Sequence, residues 1–316
     1  METVGFIGLG NMGWAMAGHI LAAGYPMVVH DVREEVARRF RDRGARLGAS
    51  PADLARASDV VFTSLPGPAE VEAVALGPDG ILEGIRAGSV YVDLSTSRPS
   101  LIRRMAPLFE AKGTHVLDAP VSGGKTGAER RNLAVMVGGP REVYERVRPI
   151  LAAFGDKVFY AGQVGAGSVA KLVHNMIGHG VRQAIAEGLT LGVKAGVAPV
   201  ELWECVRRGA VGRMHVLHEG LPRTMFRGQF DPPSFSLALA RKDIGLAMEL
   251  GRDCGVPMPL ASLVEQIAIE AMNRVWADLD HTVTVRLQEE AAAAEVRAPA
   301  VDLARAAAFI TTHPDA

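Results

Sequence analysis

Lys171 and Asn175 stand four residues apart in AlaLysLeuValHisAsnMetIle, residues 170–177, a stretch with helical spacing. Residues four apart share one helical face, so a single helix can present an ammonium and a carboxamide to one small molecule. His174, beside Asn175, is a competing acid or base. It sits about 100° further round the helix from Asn175 and is expected to face elsewhere. Upstream, ValSerGlyGlyLys at 121–125 offers a second kind of chemistry. The Ser122 hydroxyl and the bare backbone of Gly123 and Gly124 suit a small carboxylate. Taken alone, a lysine at a helix start is more often a surface charge, and an ordinary turn after a strand is the alternative for the glycine pair.

A third pattern concerns phosphate. The apolar run Thr3–Ile7 leads into GlyLeuGlyAsnMetGly, residues 8–13, with glycines at GxGxxG spacing, and a helix-compatible segment follows. In a strand–turn–helix of this kind Gly8 permits the tight turn, Gly10 lets the backbone approach a pyrophosphate, and Gly13 allows helix and strand to pack closely. Leu9, Asn11 and Met12 complete the expected cofactor-contacting turn, whose unpaired helix-start amides attract phosphates. Asp31 ends the next strand, near the offset of about 20 residues at which an acidic residue meets a ribose. A carboxylate there accepts from both ribose hydroxyls and repels a 2′-phosphate, which favours NAD. Arg33 could turn toward that phosphate instead and leaves NADP possible. Without a nucleotide, Asp31 would merely cap the turn before the next helix.

These residues need a frame. Runs at Thr3–Ile7, Met27–His30, Val60–Ser64, Val90–Leu94, His115–Leu117, Leu133–Val137 and Val158–Tyr160 read as strands alternating with helices. Ser50-Pro51 followed by Asp53 makes one clear helix start. Such alternation predicts parallel βαβ units and an α/β fold, an N-terminal Rossmann-type doubly wound sheet over residues 1–164. From 165 to 316 strand signals vanish. An all-α domain is expected, entered through one long helix over about 168–193, with further starts near Pro199, Ser234 and Pro259. Glycines at 178, 180, 188 and 192 weaken that long helix and imply close backbone contact, with other helices of the chain or with a second subunit. An alanine-rich, helix-prone tail over 288–316 is expected to fray in ThrThrHisProAspAla.

Other classes find little support. The 316 residues carry a formal net charge of -1 with no block of like charge, so neither nucleic acid nor an anionic membrane is an expected partner. The Arg38–Arg43 cluster, interleaved with Asp42, reads as a solvated helix face. Two cysteines, Cys205 and Cys254, fit neither a disulfide framework nor a zinc spacing, the nine histidines are scattered, and no metal is expected. No signal peptide or membrane span is visible, so the expected location is cytoplasmic.

Four stretches, in order, resemble the β-hydroxyacid dehydrogenases, the family of 3-hydroxyisobutyrate dehydrogenase and tartronate semialdehyde reductase. They are GlyPheIleGlyLeuGlyAsnMetGly at 5–13, AspAlaProValSerGlyGlyLysThrGlyAla at 118–128, GlyAlaGlySerValAlaLysLeuValHisAsnMet at 165–176 and ArgLysAspIleGlyLeuAla at 241–247. The likeness spans about residues 3–275. It implies an NAD(P)-dependent oxidation of a small 3-hydroxy acid, with Lys171 as general acid or base and Asn175 holding the substrate. Ser122, Gly123 and Gly124 then form the substrate-carboxylate loop. Leu65, Pro66, Ser95 and Thr96 fall at strand ends that contact the cofactor, Ser95 and Thr96 also reaching substrate, and Lys242 lies toward the nicotinamide. Arg213 is a candidate substrate contact. The family forms dimers or tetramers. Arg131 departs from the family's usual glycine and puts an extra cation near the loop. The alternatives are an imine reductase of the same architecture, which generally lacks the lysine, a decarboxylating enzyme of the 6-phosphogluconate type, and a nicotinamide sensor without catalysis.

Overall fold

The computed structural model describes residues 1–214 and 216–304. The ThrThrHisProAspAla end lies outside the described residues. The chain divides into two units, Met1–Ile177 and Gly178–Ala316.

The first unit holds nine strands: β1 Val4–Ile7, β2 Met27–His30, β3 Arg46–Leu47, β4 Val60–Thr63, β5 Val90–Asp93, β6 His115–Asp118, β7 Val121–Ser122, β8 Ala134–Gly138 and β9 Lys157–Gly162. All seven expected strands are present. The two extra ones, β3 and β7, are two residues long, too short to show a period. The order is β3-β2-β1-β4-β5-β6-β8-β7, with β9 beside β8. Strands β1 to β6 run parallel, while β8 runs antiparallel to both β6 and β7. The sheet is therefore mostly parallel rather than wholly so. Between β6 and β8 the chain forms the short strand β7 and a six-residue helix.

Strands β1, β4 and β5 are buried at every position, because helices cover both faces of the sheet. Successive side chains feed two separate cores. Phe6, Val29, Phe62 and Val92 enter one; Ile7, Val28, Val61 and Tyr91 enter the other. The covering helices are α1 Asn11–Ala22, α2 Glu34–Arg41, α3 Pro51–Arg56, α4 Pro68–Leu76, α5 Ile81–Gly84, α6 Pro99–Glu110, α7 Gly124–Glu129 and α8 Arg141–Leu151. Helix α3 starts as its sequence predicts, with Ser50 Oγ accepting from the Asp53 amide at 3.1 Å and Pro51 in the first turn.

Helix α9, Ala166–Lys194, begins in the first unit and continues into the second. The second unit adds α10 Pro199–Arg208, α11 Leu221–Arg223, α12 Leu237–Cys254, α13 Pro259–Asn273 and α14 Val285–Ala292. Helix α12 starts three residues after Ser234, which is engaged elsewhere: its hydroxyl and amide both donate to Asp280. The cap is Ser236. The alanine-rich stretch is helical to Ala292 and again over 300–304, and is broken between them where Ala293 turns left-handed at φ 48° and the Val296 amide bonds the Glu289 carboxylate. None of the described helices is long and apolar enough to cross a membrane.

Candidate active site

The glycine turn joins the end of β1 to α1. Gly8 adopts φ +90°, and a Cβ there would strike the Ser64 carbonyl; a Cβ on Gly13 would strike the Gly8 carbonyl, while one on Gly10 would meet nothing within 4 Å. The two outer glycines thus hold the turn tight and the middle one leaves its backbone open. Helix α1 has no side-chain cap, so the amides of Asn11, Met12 and Gly13 remain for an anion. The cradle fits a dinucleotide pyrophosphate. Leu9 serves the turn itself: its side chain is buried and its amide donates to Asp31 Oδ2 at 2.7 Å.

Asp31 also accepts from Arg33, from the backbone amide at 2.9 Å and from Nε at 3.2 Å. Burial pushes the Asp31 carboxyl up, but Arg33 and the Leu9 amide together hold it below the ordinary carboxylate value. Arg33, half exposed, is drawn onto this carboxylate.

Leu65 and Pro66 follow β4, and Ser95 and Thr96 follow β5, at the carboxyl ends where ligands of open α/β sheets gather. The Leu65 amide donates to Ser95 Oγ at 2.9 Å, which joins the two loops beside the Gly8 turn. Pro66 and Thr96 are exposed and Ser95 is buried. Behind them lies Asp93, whose Oδ1 accepts from Thr63 Oγ1 at 2.8 Å and from the Ser95 amide at 3.0 Å. Its Oδ2 is buried and has no hydrogen-bond partner among the described residues. Burial raises the Asp93 pKa to about 6 against these hydrogen bonds, and the charge of Asp118 pushes the same way.

On α9, Lys171 is buried at 8 % exposure, Asn175 half-buried and His174 exposed. Burial alone holds the lysine below its ordinary pKa, and among the described residues no carboxylate pairs with it within 4 Å. His174 departs from expectation, since its Nε2 hydrogen-bonds Ser122 Oγ at 2.9 Å and so faces the carboxylate loop. The 100° step from Asn175 does not turn His174 away from the lysine. Lys171 lies between the two in angle, about 60° from His174 and about 40° from Asn175, so one arc of the helix carries all three. The spacing of three between Lys171 and His174 was the available signal.

Gly123, at φ 139°, cannot carry a side chain, because a Cβ would lie 2.9 Å from Leu133 Cδ2 and 3.1 Å from the Asn132 carbonyl. Gly124 opens α7 with free space around it. Arg131 has φ 59°, the left-handed conformation that glycine adopts most easily. Its Nε donates to the Ala153 carbonyl at 2.9 Å, so the side chain is tied to the turn after α8.

Two expected contacts belong to the second unit. Lys242 pairs with Asp243 at 3.0 Å, more than half exposed, and Arg213 is exposed in the turn after α10. Among the described residues no group of three or more His, Cys, Asp and Glu is gathered as a metal site.

Comparison with known proteins agrees with this geometry. Residues 3–162 match the family model for the NAD-binding domain of 6-phosphogluconate dehydrogenase. Residues 165–288 match that for the NAD-binding region of NADP-dependent 3-hydroxyisobutyrate dehydrogenase. The chain is 37 % identical to 2-(hydroxymethyl)glutarate dehydrogenase of Eubacterium barkeri, over 84 % of this chain and 87 % of that one. It is 35 % identical to 3-hydroxyisobutyrate dehydrogenase of Pseudomonas aeruginosa, over 84 % and 91 %. Among solved structures, Mycobacterium tuberculosis 3-hydroxyisobutyrate dehydrogenase with L-serine superposes with a TM-score of 0.64 at 31 % identity, covering 91 % of this chain and 99 % of that one. A reductive aminase from Aspergillus terreus reaches 0.77 at 23 % identity, covering 91 % and 99 %, a likeness of fold alone. The chain belongs to the β-hydroxyacid dehydrogenase family, oxidoreductases that act on a CH–OH group with NAD or NADP.

Proposed function

We propose that this enzyme reversibly oxidises a small 3-hydroxy acid to its semialdehyde or 3-oxo acid, with NAD preferred over NADP and Lys171 as the general base. The observation that carries the reading is Lys171 itself: a buried lysine without an ion-pair partner among the described residues, on the helical arc that meets the Ser122 loop through His174. A lysine stripped of water takes a proton at lower pH than an exposed one.

Ser122, with the backbone of Gly123 and Gly124, orients the substrate carboxylate, and Asn175 holds the substrate near its hydroxyl. His174 extends the polar wall on the other side of Lys171. As the CH–OH carbon is oxidised, its hydroxyl must lose a proton, and Lys171 Nζ receives it. NAD, held by the Gly8–Gly13 turn and Asp31, supplies the hydride acceptor. In the reverse direction the protonated lysine returns the proton to the carbonyl oxygen.

The test is NADH formation against a panel including 3-hydroxyisobutyrate, glycerate, serine, threonine and threonate, with NAD and NADP in parallel. Lys171→Ala should lower kcat by about 10² to 10⁴, the usual worth of a positioned base. Full activity in that variant, with a flat pH profile, sinks the assignment.

We also infer a homodimer or homotetramer working in the cytoplasm. Supporting the oligomer, a Cβ on Gly178, Gly180 or Gly188 of α9 would meet nothing within 4 Å, whereas one on Gly192 would fall on Leu202 of α10. One of the four glycines serves packing within the chain, and three are left to a partner. Supporting the compartment, Cys205 and Cys254 are both free thiols.

A further inference from the structure

The helix that carries Lys171 starts without a cap of its own. Its first residue is Ala166, and Gly165 before it has no side chain to offer. The first-turn amides of a helix need acceptors, and here they find one 47 residues upstream. Asp118 Oδ1 accepts from the Gly165 amide at 2.7 Å, and Oδ2 accepts from the Ser168 amide at 2.6 Å.

Asp118 is almost fully buried and ends β6. From it the chain runs through Ala119 and Pro120 straight into Val121 and Ser122 of β7. One residue therefore gives its backbone to the carboxylate loop and its side chain to the helix bearing Lys171. The joint has no slack. A Cβ on Gly138, the β8 register partner of Asp118, would lie 2.5 Å from Asp118 Oδ1 and 2.8 Å from the Gly167 amide. A Cβ on Gly167 would strike the Met136 carbonyl and lie 2.5 Å from the Asp118 carbonyl. On the far side, the contact between Ser122 and His174 closes the loop of constraints. Other charges around this joint are Asp93, the register partner of Asp118 on β5, and Arg103 of α6, which reaches the Val164 carbonyl beside Gly165.

We propose that Asp118 is a positioning residue: its two carboxylate–amide bonds set the first turn of α9 against the substrate loop and so keep Lys171 in its water-poor place. The inference rests on Lys171 acting as proposed above. An asparagine at 118 can accept only one of the two amides through its oxygen, because its own NH2 meets the other donor. The first turn then loosens and water reaches Lys171, which raises the pKa of the lysine. A simple charge effect has the opposite sign, since deleting a nearby carboxylate favours the neutral amine and lowers that pKa. The direction of the shift separates the two.

The experiment uses full-length Asp118→Asn. The rate of chemical acetylation of Lys171 is followed against pH by mass spectrometry, which needs no turnover; kcat and KM are measured on the best acid of the panel. The expected result is a Lys171 titration moved up by roughly one unit, with kcat lower by about 10- to 100-fold and NAD affinity unchanged. A titration that stays in place or moves down overturns the proposal, as does a kcat like the parent's. Should Asp118→Asn fail to fold, Gly138→Ala keeps the charge and displaces Oδ1, and it must give the same upward shift. A parent inactive on every acid defeats the functional reading instead, and the acetylation profile still decides Asp118.

Discussion

Asp31 holds the glycine turn and, on the function proposed above, meets the ribose, and Arg33 is the residue that its charge holds in check. The carboxylate accepts the Leu9 amide and engages Arg33 through backbone and side chain. An anion there repels a 2′-phosphate while pinning Arg33, a cation that could welcome it. Asp31→Asn should keep the Leu9 bond and free Arg33. We expect the ratio of kcat/KM for NADP over NAD to rise about tenfold or more, equivalent to about 1.4 kcal/mol; an unchanged ratio would mean that Arg33 points away from the nucleotide. Asp93 makes a different prediction. Its folded-state pKa of about 6 lies above the ordinary value of 3.8, so the folded state binds its proton more tightly than the unfolded chain does. Stability is therefore full below about pH 4 and falls as pH rises toward 6, by about 3 kcal/mol for this group. Asp93→Asn keeps an oxygen for Thr63 and Ser95 and removes the charge. Denaturation of both proteins from pH 4 to 8 should show the variant gaining on the parent across that window, and parallel curves would contradict the burial argument.

At the scale of elements, what the sequence revealed and what it hid divide by range. The seven longer strands and the Pro-initiated helices α3, α10 and α13 were legible because their signals are local: apolar runs, and a proline that suits the first turn. The GxGxxG turn was legible for the same reason. Less visible was anything that one element does for another. The start of α9 falls at Ala166 rather than Ser168 because its cap comes from β6, and α12 starts late because Asp280 claims Ser234. His174 was set aside on helical angle, and only its contact with Ser122 shows which way the arc faces. Helix α13 repeats the lesson of the distant cap. Its start is held by Glu187 of α9, whose carboxylate accepts from the amides of Leu260 at 2.9 Å and Ala261 at 3.2 Å. Burial tends to raise this carboxyl, but the two amides and Gln183 hold it below the ordinary value. Glu187→Ala should therefore destabilise the helical unit by about 1 kcal/mol, the typical worth of a cap. Faster hydrogen exchange confined to the first turn of α13 is the measurement that checks it, and uniform exchange across the unit would assign Glu187 some other role.

The whole molecule is uneven in how it buries apolar surface. The first unit has two extensive cores. Among the described residues the buried core cluster of the second unit is Phe230, Leu237, Ala268, Ala271 and Val283, and α10 has no buried residue. Along α9, Val173, Ile177, Val181 and Ile185 are exposed at steps of four, which form one stripe, and Met176 is exposed beside it. A stripe of this kind exceeds the scatter of single apolar residues that a monomer's surface ordinarily shows. The open Gly178, Gly180 and Gly188 lie on the same helix and let another helix approach closely. The homo-oligomer proposed above would meet both features, because a symmetric pair brings the same stripe from each side. Sedimentation equilibrium should therefore give at least twice the mass of one chain. Ile185→Glu, which adds a charge to the stripe away from Lys171 and Ser122, should shift the population toward monomer and lower the melting temperature. A parent that sediments as a monomer at all concentrations would leave the stripe to some other partner and remove the reason for the three open glycines.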